Sequence, residues 1–223
     1  STADGNIYWT ADYAAIDTVH IDHNITAQAG LTVDQLYISS GNTLTSTAAV
    51  SAAGTHAATP ILGTLDATGF DVTFGDCGEY FAYGGTVLCE NLVVGNISLY
   101  FAASSTVTAT GNISTGNGYV FSSSSTVTAT GNITTGDISA FFAYDSSTVN
   151  ANDITTGDIG NSFAASSSTV TANDITTGAI NGTFADASTV TANDITTGGF
   201  YYFAYDSSTV TANNITTGDI GNS

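Results

Sequence analysis

The chain has 223 residues with no Lys and no Arg, and 19 acidic side chains give it a formal charge of −19. Without a cationic side chain it cannot neutralise phosphates, which excludes nucleic acid as a partner and disfavours anionic membrane surfaces. Its 42% hydrophobic content, with 11 Phe and 11 Tyr, separates it from disordered acidic chains, and no apolar run is long enough for membrane insertion.

Residues 1–12 (STADGNIYWTAD) precede the first recognisable repeat, and their Tyr8 and Trp9 are expected either to cover one end of the fold or to insert into a neighbouring molecule. Met is absent, so a mature chain whose signal peptide has been removed is the expected origin. From Tyr13, YAAIDTVHIDHNIT aligns without a gap on FAASSTVTATGNIS, which starts at Phe101. That alignment sets Tyr13 on Phe101, Val19 on Val107, Asn24 on Asn112 and Ile25 on Ile113. Residues 1–60 read as an N-terminal segment with degenerate coils, and 61–223 as regular repeats, with the register extending back through Val87 and Leu65.

The repeat itself is clearest from residue 101 onward. Val107, Val127, Val149, Val170, Val190 and Val210 recur at steps of 20, 22, 21, 20 and 20. Ile113, Ile133, Ile154, Ile175, Ile195 and Ile215 follow, and so does an aromatic series of Phe81, Phe101, Phe121, Phe142, Phe163, Phe184 and Phe203. Within a repeat, T-V-T-A alternates polar and apolar, as a half-buried strand does. Gly, Asn and Asp punctuate the corners. The prediction is an all-β fold, a parallel β-solenoid of about ten roughly triangular coils of 20–22 residues. One strand carries T-V-T-A, a second D-I-T, and a third D-I with F-A-A or F-A-Y. Val, Ile and Phe are expected to form interior ladders, and Asn152, Asn173, Asn193 and Asn213 to form an amide ladder at one corner.

The stretch DTVHIDHNITAQAGLTVDQLYISSGNTLTSTAAV resembles the opening coils of secreted microbial β-helix proteins, with a D-T-V start, short V/I/L strands and an S-G-x-T-L turn. The later coils are similar to the low-complexity repeats of adhesin-like surface proteins and autotransporter passengers. The resemblance implies a right-handed β-helix in a secreted or cell-surface setting, and it carries over no catalytic residue.

Several residues invite chemistry. Cys77 and Cys89 are expected to pair as a disulfide in an oxidising compartment, two free buried thiols being the alternative. Asp153, Asp174 and Asp194 recur with the coil, which points to a surface role, although stacked carboxylates invite bridging Ca2+. No cofactor is required on this reading. His20, Asp22 and His23 form the only local cluster with ligand chemistry, too small for a metal site by itself. Glycosylation sequons fall at Asn24, Asn96, Asn112, Asn132, Asn181 and Asn214, four of them directly before the repeat Ile. Enzymes on β-helices use Asp clusters, often with Arg or Lys; this chain has no Lys or Arg and its acidic residues mostly repeat with the coil, so no enzyme is expected.

Two surfaces remain. Thr106/Thr108, Thr126/Thr128, Thr169/Thr171, Thr189/Thr191 and Thr209/Thr211 make outward T-V-T pairs, broken at Thr148/Asn150, as on an ice-binding solenoid. Variable coil length argues against a lattice-matching face unless the extra residues bulge at a corner. The nine residues Ile215–Ser223 repeat Ile154–Ser162, after which Phe163 follows at once, so the last coil is complementary to an aromatic strand such as the one beginning at Tyr13. The expected function is an extracellular structural protein, assembling head to tail with itself into a surface filament or sheath through Tyr8, Trp9, Tyr13 and Ile220. An adhesin or display stalk and an ice-binding solenoid are the alternatives.

Overall fold

A computed structural model describes residues 18–122 and 124–221. Strand alternation organises it. In Thr106–Ala109 the Thr side chains face out, while Val107 and Ala109 face in and are buried. One coil cannot enclose such a face, and coils stacked at about 4.8 Å can. The outcome is the predicted parallel β-solenoid with three sides and no helix among the described residues.

The T-V-T side holds ten parallel strands, from Ile25–Ala27 to Thr209–Thr211. The I-T side also holds ten, from Leu31–Val33 to Asn214–Ile220. On the aromatic side, Thr18–Ile21 pairs with Gln35–Ile38, and seven strands run from Ala82–Tyr83 to Tyr202–Tyr205. Ile61 bridges Ile38 to Ala82 and joins those two groups into one side. The T-V-T and I-T sides pass from the segment 1–60 into 61–223 without interruption.

The first coil differs from the gapless alignment. Ile25 pairs with Leu44, which continues through Leu65 and Val87 to Val107. Ile25 therefore occupies the ladder expected for Val19, and Val19 pairs with Leu36 on the aromatic side. The alignment is one side out of phase. Val19 to Ile25 and Ile25 to Leu31 are both six residues, the same step as Val107 to Ile113, so spacing alone fits either side. The Leu65–Val87–Val107 register is as expected.

The interior is a set of ladders. Phe142, Phe163, Phe184 and Phe203 stack face to face, with centroids 4.8, 5.0 and 5.2 Å apart. Phe121 meets Phe142 edge-on. Toward the N-terminal end the buried aromatic contacts run on through Phe101, Phe81, Phe74 and His56, further than the Phe series suggested, and beyond them the outward-facing Tyr37 and His20 stack at the surface.

Coil length varies at all three connections: Val107 to Ile113 is six residues and Val149 to Ile154 five, Ile113 to Phe121 is eight and Ile133 to Phe142 nine, and the step from Phe to Val is six or seven, at a corner of positive-φ residues. Between Phe101 and Val107 a single residue, Ser104, has positive φ. Between Phe163 and Val170 there are two, Ser166 and Ser167, and one more residue in the connection. The same pairing recurs at Asp145/Ser146 and Asp206/Ser207, and Ala187 stands alone in the shorter connection. The extra residue bulges here while the flanking strands stay in register. A Ser secures the corner: Ser168 and Ser188, both buried, and the half-buried Ser208 each donate through Oγ to a carbonyl of the preceding coil, on Ala143, Ala164 and Ala185.

Candidate functional site

The corner leading out of the I-T side carries a pattern not anticipated from the sequence. Asp76, Asn96, Asn117, Asp137 and Asp158 each accept, through Oδ1, the backbone N–H of the equivalent residue one coil later, at 2.7–3.0 Å. The carboxamide or carboxylate crosses over the Gly of the next T-T-G. A Cβ on Gly157 or Gly178 would sit 2.2 Å from the Oδ1 of Asp137 or Asp158. Asn91 and Asn112 cap the following coil in the same way at the corner between the T-V-T and I-T sides. The repeated Gly thus leaves room for a side chain of the neighbouring coil.

Asp153, Asp174 and Asp194 stand in one in-register column with Asn214 above them. Amides separate their charges: Asn173 donates to Asp153 at 3.3 Å, Asn193 to Asp174 at 3.4 Å, and Asn214 to Asp194 at 2.7 Å. The Asn corner therefore bonds along the axis as expected, with carboxylates as its main acceptors; only Asn213 to Asn193, at 2.7 Å, is an amide–amide contact within that series. Among the described residues no three His, Cys, Asp or Glu side chains converge as metal ligands. His20 stacks on Tyr37, and Asp22 accepts a hydrogen bond from Ser39.

The expected disulfide is not formed. Cys77 and Cys89 are both buried and free. Cys77 lies in the short ladder His56–Cys77–Ile97, whereas Cys89 ends the T-V-T strand of the next coil beside Ala109. Twelve residues of a coil separate them, so they point into the core from different sides. Burial, reinforced by Asp76 and Asp71 respectively, pushes both thiols up to about 12. They are poor nucleophiles.

All six sequon asparagines are exposed. Asn24, Asn96 and Asn112 already use Oδ1 to cap a later coil, and Asn214 uses its amide on Asp194. His56 is buried; its Nε2 accepts from the Leu36 N–H at 3.1 Å, and Nδ1 has no partner. Burial lowers its pKa below 6.5.

Two surfaces are built by the whole stack. On the T-V-T side one outward column reads Thr43, Thr64, Thr86, Thr106, Thr126, Thr148, Thr169, Thr189 and Thr209, paired rung by rung. It begins well before the recognisable T-V-T repeats. The second surface is the distal coil. Ile215 and Ile220 are 46% and 59% exposed there, whereas Ile195 and Phe200, one coil below, are 1% and 4%. Tyr201, Tyr202 and Tyr205 are exposed beside them. Tyr8, Trp9 and Tyr13, expected at the opposite end, lie outside the described residues.

No family model matches the chain, and no curated protein or solved structure is significantly similar to it. Among the described residues no helix is long and apolar enough to cross a membrane.

Proposed function

We propose that the chain is an extracellular structural protein, a rod that stacks head to tail on copies of itself to build a surface filament or sheath. One observation carries the reading. Each coil meets the next through the same kind of parallel backbone ladder and the same apolar columns, so a coil of a second copy offers the pairing surface that a neighbouring coil of the same chain offers. Strand edges of this kind recruit further strands. A contact between two different ends repeats without closing, and so generates a filament. The exposed acidic corners keep filaments apart laterally, and the absence of Lys and Arg leaves no site for trypsin-like proteases, which suits an external location.

The test is electron microscopy of the purified chain at neutral pH, with and without Ca2+. Long fibres with an axial repeat near 4.8 Å support the reading. Ile220→Asp, exposed in the single chain, should stop their growth without unfolding the rod. Short rods only, about 45–50 Å long, overturn self-assembly and favour a display stalk. Fibres that form only with Ca2+ would assign the ion to the Asp corner.

A further inference from the structure

We propose that the T-V-T side is a binding surface for ice. The argument begins with its register. The two outward columns are the nine-Thr column already described, and Thr45, Asp66, Leu88, Thr108, Thr128, Asn150, Thr171, Thr191 and Thr211. No rung slips against its neighbour on this side, whereas the aromatic side breaks register between Ile97 and Tyr100. Variation in coil length, the sequence feature that argued most strongly against a lattice-matching face, falls in the connections between the sides, as where Val107 to Ile113 spans six residues and Val149 to Ile154 five, and leaves this side in phase.

Spacing and chemistry follow. Adjacent rungs repeat at about 4.8 Å, and outward residues along a strand at about 6.6 Å, so the hydroxyls form a two-dimensional net. A β-branched side chain has few χ1 choices, so hydroxyl and methyl can repeat their orientation from rung to rung. Each hydroxyl both donates to and accepts from water. The methyls between them order first-shell water without binding it. Charges would pull that water into shells of their own, and on this side only Asp66 is charged, although the chain carries −19.

The dimensions favour ice over a protein. Nine rungs about 4.8 Å apart, each three or four residues long, cover on the order of 500 Å², below the roughly 800 Å² per partner of a standard interface. The outward positions carry no aromatic residue, Arg or Met to serve as an anchor. The proposal does not depend on filament growth, because the nine rungs belong to one chain.

The experiment is nanolitre osmometry on the purified 223-residue chain, with crystal shape recorded through the hysteresis gap. Faceted crystals and measurable thermal hysteresis are expected. Thr171→Tyr with Thr191→Tyr should abolish most of the hysteresis. Thr176→Tyr with Thr196→Tyr, on the I-T side, should retain it, and circular dichroism should show both double variants folded. Round crystals without hysteresis from the unaltered chain overturn the proposal. Equal loss in both double variants, or no loss in the first, overturns it as well.

Discussion

Replacing Gly178 with Ala tests the coil-to-coil cap directly. The added Cβ would lie 2.2 Å from Asp158 Oδ1 and 2.9 Å from the Asp158 backbone nitrogen. The carboxylate can swing away, but it then releases the Ala179 N–H it holds at 2.8 Å. A hydrogen bond to a charged acceptor contributes about 1.5–3 kcal/mol, and this solvated corner belongs at the lower end, about 1.5 kcal/mol. The backbone nitrogen cannot swing, and relieving that contact adds about 1 kcal/mol of angular strain. Gly178→Ala should therefore cost about 2.5 kcal/mol, and Asp158→Ala about 1.5 kcal/mol. The double variant should cost about as much as Gly178→Ala alone, because one hydrogen bond cannot be lost twice; the coupling is about 1.5 kcal/mol. Guanidinium denaturation gives the global values. Amide exchange at Ala179 gives the local one, which a stack of repeats requires because its coils open separately. Additivity within about 0.5 kcal/mol would refute the coupled cap.

Three other outcomes follow from the interior and the corners. His56 has its folded pKa lowered by burial, so the unfolded chain takes up the proton first as pH falls; stability is complete above about 6.5, declines as pH drops below it, and should become flat over that window in His56→Phe, as read by thermal melting. Cys77 and Cys89 should resist iodoacetamide in the native state at mildly alkaline pH and react only after unfolding, with an intact mass under non-reducing conditions that corresponds to two thiols. Ser167, at φ 64°, should accept Gly with a gain of up to about 1 kcal/mol in denaturation experiments, whereas Val at the same position should destabilise, since a β-branched residue is strained there.

The period, the three sides and the inward Val, Ile and Phe were legible because each sits in its own strand and recurs at nearly constant spacing. What escaped depends on the coil above or below. Gly178 looks like a turn residue in T-T-G, yet its requirement is the carboxylate of Asp158, twenty residues earlier. The nine-Thr column shows in the sequence only where T-V-T is intact, because Thr43, Thr64 and Thr86 lie in coils whose other positions differ from the repeat. Spacing alone sets Val19 one side away from its true ladder because six-residue steps occur at successive corners. Cys77 and Cys89 are close in the chain, but a coil turns through most of its circuit in that interval.

The corner at Ser104, Ser166/Ser167 and Ala187 has a consequence for how such a gene can change. Because the strands before and after it remain in phase whether the connection is short or long, a recombination event that joins two of the regular coils keeps their T-V-T strands in register. Duplication or deletion of a regular coil by unequal crossing-over then preserves the ladder pairing on that side. Rod length is then free to drift one coil at a time, and the near-identical repeats toward the C-terminal end are the trace such a history would leave.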